Sequence, residues 1–72
     1  MERFGEKLRI LRQRHNLTVR ELAGKLEVNS HSHIVQIEAG KSKPSIDLLL
    51  KIMALFNVPC DRLIKDELDL DA

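Results

Sequence analysis

The chain is poor in aromatic residues and in cysteine. Trp and Tyr are absent from its 72 residues, and the phenyl rings are those of Phe4 and Phe56. The core must therefore be built mostly from Leu, Ile and Val. Cys60 is the single cysteine, which excludes an internal disulfide. It is either a small buried or half-buried side chain or a redox-sensing thiol.

Long apolar runs are also lacking. No stretch approaches the roughly 18 residues that a membrane-spanning helix needs. The first six residues, Met-Glu-Arg-Phe-Gly-Glu, do not form the apolar stretch of a signal peptide. We therefore expect a cytoplasmic protein with no membrane partner. A chain of this length forms one small domain, whose marginal core would be stabilised by a partner subunit.

Charge is distributed unevenly along the chain. Residues 1–43 carry nine Lys and Arg against five Asp and Glu, whereas residues 44–72 carry three against six. A basic front half and an acidic back half fit a small module that binds a polyanion through one side. Ordinary scatter of surface charge produces the same numbers, so both interpretations stay open.

Apolar spacing and capping residues predict five helices and no strand. The second helix begins at Thr18, which forms a capping box with Glu21. The other boundaries are Glu2 to His15 for the first helix with Asn16 after it, Ser30 to Gly40 for the third, Pro44 or Ser45 to Asn57 for the fourth, and Pro59 for the start of the fifth. We predict a domain over residues 1–65 and an acidic, frayed tail over residues 66–72.

An ordered set of residues between Lys7 and Ile64 resembles one known family. The set comprises Leu11, Arg12, Leu17, Thr18, Glu21, Leu22, Ala23, Leu26, Val28, Ser30, Ile34, Ile37, Glu38, Gly40, Lys41, Pro44, Ser45, Leu49, Ile52, Phe56, Val58 and Leu63. It resembles the lambda-repressor-like, Cro-type helix-turn-helix family. The resemblance implies a compact, all-α, five-helix domain that binds double-stranded DNA, usually as a two-fold dimer. It also implies a structural ion pair between Arg12 and Glu38.

Three positions depart from the pattern of that family. Glu27 stands in the turn where the family usually has Gly, which predicts backbone strain at this residue. Asn29 is an additional residue in the same turn. Val19 stands where a Gln commonly supports DNA contact from the second helix.

Helical geometry predicts which residues of the third helix face outward. At about 100° per residue, Ile34 and Ile37 define the inward direction. The residues that point away from it or flank it near the helix start are the predicted base contacts: His31, Ser32, Val35 and Gln36. The alternative for this face is an ordinary solvated surface.

Phosphate contacts are expected from helix N-termini, loop amides and cations. The predicted set is Thr18, Arg20, Ser30, His33, Lys41, Ser42 and Lys43. Arg14 and His15, at the end of the first helix, are weaker candidates.

Four leucines exceed what the core of a lone domain needs: Leu48, Leu55, Leu68 and Leu70. An apolar patch near the C-terminus of a small DNA-binding protein predicts a homodimer interface. A monomer with an apolar back and a frayed tail is the alternative.

The chemistry of an enzyme or a metal site is not predicted. His31 and His33 are two residues apart and therefore point about 200° apart on a helix, and neither CxxC nor HExxH occurs. No Gly-rich phosphate loop, nucleophile elbow or carboxylate pair suggests a cofactor or small-molecule substrate. The sequence predicts a DNA-binding transcriptional repressor that binds an inverted-repeat operator as a dimer. The alternative is a protein-interaction module of the antitoxin or adaptor type.

Overall fold

The computed structural model describes residues 1–71, in which five α-helices occur and no strand. The helices are α1 (Phe4–Arg14), α2 (Val19–Lys25), α3 (His31–Glu38), α4 (Ile46–Phe56) and α5 (Cys60–Ile64). The predicted all-α, five-helix architecture is therefore confirmed. None of these helices has the length and apolar character needed to cross a membrane.

The core is formed by aliphatic side chains from all five helices. Phe4 and Phe56 contribute the two buried phenyl rings, at 2% and 8% exposure. The aliphatic residues recur three or four positions apart, as expected for helices with one buried face. They are Leu8 and Leu11 of α1, Leu22 and Ala23 of α2 with Leu26 after it, Ile34 and Ile37 of α3, Leu48, Leu49 and Ile52 of α4, and Leu63 of α5.

Capping residues set the helix boundaries close to the predicted positions. Thr18 forms the complete capping box with Glu21 at the start of α2. Ser45, rather than Pro44, caps α4, because its hydroxyl accepts from the Leu48 amide at 3.2 Å. Asn57 closes α4 in the left-handed conformation, with φ of 53°. Local side-chain chemistry therefore decides where these helices begin and end.

The acidic tail lies against α1. The Asp66 carboxylate accepts from the backbone amides of Glu2 and Arg3 at 3.1 and 2.9 Å, next to the N-terminus of α1. Arg14 binds Asp71 with an Nη2–Oδ2 distance of 2.7 Å. Asp66 and Asp71 are thus bound to residues more than 50 positions away, and the last residue of the predicted frayed tail, position 72, lies outside the described residues.

Lys7 connects α1 to the end of α5. Its side chain is buried, with the residue 1% exposed, although it carries an ammonium group. Nζ donates to the carbonyl oxygens of Arg62, Lys65 and Leu68 at 2.7, 2.8 and 2.6 Å. All three donors of the ammonium group are thus used. The carbonyls of Arg62 and Lys65 belong to the C-terminal end of α5, where positive charge is favourable, and that of Leu68 belongs to the tail.

Candidate nucleic-acid interface

The outer face of α3 is exposed along its length. Ile34 and Ile37 are 0% and 1% exposed, whereas Val35 is 46% exposed on the opposite side. The other outer residues are exposed as well: His31, Ser32, His33 and Gln36. The helix therefore presents about two turns of mostly polar surface, and its inner side anchors it to the core.

The N-terminus of α3 differs from those of α2 and α4 in its capping. Ser30 occupies the N-cap position, but its hydroxyl lies 2.7 Å from the Ser32 hydroxyl instead of accepting from a helix amide. Thr18 and Ser45 each accept from an amide of their own helix. The first turn of α3 consequently has no side-chain cap.

Glu27 forms the turn between α2 and α3 in a left-handed conformation, with φ of 59°. Its amide donates to the Gly24 carbonyl at 3.2 Å, and the Val28 amide donates to the Ala23 carbonyl at 2.9 Å. These bonds close the C-terminus of α2 before the chain turns into α3. The backbone thus adopts, at a non-Gly residue, the conformation for which the family uses Gly, at a cost of about 1 kcal/mol or more.

A partly buried ion pair connects the end of α3 to α1. Arg12 donates through Nε and Nη2 to the two carboxylate oxygens of Glu38 at 2.8 and 3.1 Å, and through Nη1 to the Leu17 carbonyl at 2.9 Å. The Arg12 and Glu38 side chains are 15% and 9% exposed. The hydrogen bond with Glu38 raises the pKa of Arg12 above its ordinary value, against an opposing effect of burial. The pair therefore fixes α3 by a bidentate contact.

Gly5 allows the backbone of α1 to pack directly against the backbone at the end of α3. A Cβ atom at this position would lie 2.8 Å from the carbonyl oxygen of Glu38 and closer still to that of Ile37. A larger residue would require one helix to move. Gly5 is not among the predicted site residues, although a Gly inside a helix, at a cost of about 1 kcal/mol relative to Ala, is a signal of such a contact.

Exposed cations lie in the helix before α3 and in the loop after it. Arg20 is exposed in the first turn of α2, and Lys41 and Lys43 are exposed in the loop after α3. None of the three forms an ion pair within residues 1–71. Ser42, between the lysines, is half-buried. These charges are available to an anionic partner of α3.

The Thr18 side chain is held by the capping box at the start of α2. Its oxygen accepts from the Glu21 amide at 3.1 Å, and the Glu21 carboxylate accepts from the Thr18 amide at 2.9 Å. The backbone hydrogen bond from Thr18, followed by the side-chain bond, lowers the pKa of Glu21. The capping box therefore fixes the hydroxyl in place at the N-terminus of α2.

A family model described as helix-turn-helix matches residues 8–63, which include α2, the turn and α3. This chain belongs to the helix-turn-helix family. An uncharacterized HTH-type transcriptional regulator of Methanocaldococcus jannaschii is 48% identical over 52 residues, which are 72% of this chain and 77% of that protein. No solved structure matches the chain. The helix-turn-helix assignment supports DNA-binding transcription regulation as the class of function.

In this helix-turn-helix domain, the two weaker phosphate candidates already have partners. Arg14 pairs with Asp71, and Nδ1 of His15 lies 2.9 Å from the Leu11 carbonyl oxygen. The His15 ring also packs against Phe56, with 4.8 Å between ring centroids. Charge pairing between the basic front half and the acidic tail thus removes Arg14 from the positive surface.

The predicted dimer residues differ in exposure. Leu48 is 6% exposed and lies in the core, because α4 buries a wider arc than its main apolar stripe. Leu70 packs against the core from the tail, and Leu68 is half-buried. Leu55 is 36% exposed. The most exposed apolar residues of α4 are instead Ile46 and Leu50, one turn apart, which the sequence analysis does not single out.

No three His, Cys, Asp or Glu side chains of residues 1–71 are placed so that they could hold a metal ion together. Cys60 is half-buried and forms no disulfide. The candidate site of this helix-turn-helix protein is therefore the surface of α3 and its flanks.

Proposed function

We propose that this protein is a sequence-specific transcription regulator that binds double-stranded DNA by inserting α3 into the major groove. The observation that carries the proposal is the exposed polar face of α3 on a helix whose other face is anchored by Ile34 and Ile37. A major groove about 12 Å wide admits one α-helix. Family membership supports the same class of function.

The base contacts are assigned to the outer face of α3. The terminal amide of Gln36 has the donor and acceptor that pair with N7 and N6 of adenine, and Val35 can contact a thymine methyl group. The Ser32 hydroxyl can donate a hydrogen bond to a base or accept one from it. His31 lies near the N-terminus of the helix, which is the part that meets base edges in this motif.

The phosphate contacts are assigned to residues around α3, which supply cations, hydroxyls and backbone amides: Thr18, Arg20, Ser30, His33, Lys41, Ser42 and Lys43. If each subunit neutralises about four phosphates, the logarithm of the binding constant of a dimer falls against the logarithm of salt concentration with a slope on the order of −7. A slope near zero would contradict the electrostatic part of the proposal.

Selection of bound sequences from a random duplex pool tests the proposal. The Gln36→Ala variant should lose discrimination at one base pair of the selected half-site, by about 1–3 kcal/mol, because only its base contact is removed. Gln13→Ala is a matched control, since Gln13 is an exposed glutamine on α1. A uniform loss of affinity across sequences for Gln36→Ala would exclude a base contact, and absence of any enriched sequence would exclude specific binding.

We further propose a homodimer that represses transcription by occupying an inverted repeat within a promoter. Ile46 and Leu50, at 72% and 55% exposure, together with Leu55, give α4 an apolar surface that a second copy would cover. Two copies of α3 would then meet half-sites about 34 Å apart. Equilibrium sedimentation at micromolar concentration tests this arrangement: the wild type should be a dimer and Leu50→Glu a monomer. A monomeric wild type would refute it.

The same apolar surface of α4 favours one second candidate, a protein-interaction module. Binding to a random-sequence duplex in dilute buffer separates the two functions. A DNA-binding regulator binds such a duplex with strong salt dependence, whereas a pure interaction module does not bind it.

A further inference from the structure

A shallow groove of about 280 Å³ lies between α1 and one side of α3. It opens beside Val35, which belongs to the proposed base-contacting face. Its lining comes from three helices and the residue that ends α3: Arg9, Arg12, Val19, Val35, Glu38 and Ala39. The groove therefore adjoins the surface that we assign to the major groove of DNA.

Arg9 gives this groove its net charge. Glu38 is neutralised there by the bidentate contact with Arg12. Arg9 is exposed and has no hydrogen bond or ion pair with another side chain or carbonyl among residues 1–71. An unpaired guanidinium beside a neutralised pair attracts an anion.

The other cations of α1 are engaged within the chain. Arg12 pairs with Glu38, Arg14 pairs with a tail carboxylate, and Lys7 donates to three carbonyls. Arg9 is thus the cation of α1 that remains available for an external partner. The sequence alone does not separate Arg9 from these neighbours, because the difference arises from contacts with distant parts of the chain.

The remaining lining of the groove is apolar. Val19, Val35 and Ala39 contribute methyl groups to the groove that Arg9 also lines. A nucleic-acid backbone has the complementary pattern, an anionic phosphate beside the C–H groups of a sugar. Since a helix about 10–12 Å in diameter fills the major groove, the two backbones of the duplex pass along its flanks.

We propose that Arg9 and this groove bind one phosphodiester of the duplex whose major groove receives α3. The inference rests on the proposed function and adds a residue to it. Arg9 supplies the charge-assisted hydrogen bonds, and Val19 packs against the adjacent sugar. Such a contact positions the protein on the duplex and carries no base preference.

The test compares Arg9→Gln with Lys65→Gln, which removes the same charge from an exposed lysine after α5. Binding is measured from about 50 to 200 mM salt. Arg9→Gln should lower the salt slope by about 0.9 per bound subunit, so that its affinity deficit shrinks about 3.5-fold across this range. The deficit should be equal for all duplex sequences. Lys65→Gln should change neither the slope nor the affinity.

A duplex carrying one neutral methylphosphonate linkage locates the contact. With the linkage at the phosphate bound by Arg9, the wild type and Arg9→Gln should bind equally. Equal salt slopes for the two proteins, or a difference that persists at every linkage position, would overturn the groove proposal and leave DNA binding intact. A wild type that binds no duplex would overturn the proposed function and this inference together. Equal urea midpoints of the two proteins verify that the exposed substitution leaves the fold unchanged.

Discussion

The backbones of Gly5 and Glu38 are in close contact: a Cβ atom on Gly5 would lie 2.8 Å from the carbonyl oxygen of Glu38. The carboxylate of the same Glu38 is held by Arg12, seven residues after Gly5 on α1. The C-terminal end of α3 is thus fixed to α1 by close packing and by charge. The orientation of the proposed recognition helix therefore depends on α1 as well as on the turn after α2.

Replacement of Gly5 by Ala should destabilise the protein. The added methyl group would overlap with backbone carbonyls of α3, which cannot rotate away as a side chain could. We expect the free energy of unfolding to fall by about 1–3 kcal/mol, the usual cost of overpacking. Urea denaturation followed by circular dichroism measures this difference.

Gly24→Ala is the matched control for that change. Gly24 also lies inside a helix, but nothing lies within 4 Å of a Cβ atom added there. The free energy of unfolding of this variant should rise by about 0.5–1 kcal/mol, because Ala loses less backbone entropy than Gly when the helix forms. If the two variants shifted the unfolding midpoint in the same direction, the close approach of α1 to α3 would not be a determinant of stability.

The Arg12–Glu38 pair should show strong coupling in a double-mutant cycle. Arg12→Met and Glu38→Gln each leave a largely buried polar partner without its main contact, and each should cost about 1–3 kcal/mol in the free energy of unfolding. The double variant should cost less than the sum of the two by about 1 kcal/mol or more. Additive losses would show that the bidentate geometry contributes no net coupling.

The helices and the face of α3 follow from local sequence. The capping box of Thr18, the left-handed Asn57 and the spacing of Ile34 and Ile37 act over four residues or fewer, so the sequence alone indicates them. The residues of the outer face follow from the same periodicity, and the structure places all of them on the surface.

The remaining features depend on contacts between distant parts of the chain. Lys7 lies three residues after Phe4 on the buried face of α1, and its ammonium group is satisfied there because the carbonyls of Arg62, Lys65 and Leu68 converge on it. Asp66 belongs to an acidic tail and accepts from the amides of Glu2 and Arg3, just before α1. Leu48 lies beside the main stripe of α4 and is covered by the core. None of these outcomes is encoded in a local period or motif.

Removal of the Lys7 ammonium group should destabilise the junction between α1 and the tail. Lys7→Met keeps the aliphatic stem but leaves three carbonyls without their donor, for which we expect a loss of about 2–3 kcal/mol. Lys25→Met, at an exposed position on α2, should have a free energy of unfolding within about 0.5 kcal/mol of that of the wild type. Hydrogen exchange should also accelerate at the amides of Lys65 and Leu68. Similar stability of the two variants would contradict a stabilising role for the buried ammonium group.

Acidification should release the tail from α1. The backbone amide of Arg3, assisted by that of Glu2, lowers the pKa of Asp66 below its ordinary value of 3.8. The Arg14 side chain has the same effect on the pKa of Asp71. A carboxyl group with a lowered pKa in the folded state stabilises the fold above its unfolded pKa, and this contribution is lost as the pH falls through the folded pKa.

The tail contacts should therefore remain constant between about pH 5 and 8 and weaken progressively below about pH 4. The amide resonances of Glu2 and Arg3 report on this directly, because protonation of Asp66 removes the charge that they bind. Their NMR titration should have a midpoint below 3.8 in the wild type. Asp66→Asn should abolish it, whereas Asp47→Asn, on exposed α4 surface, should not. A midpoint at or above the ordinary value would mean that the carboxylate does not bind these two amides in solution, and the tail would then fray as its composition alone suggests.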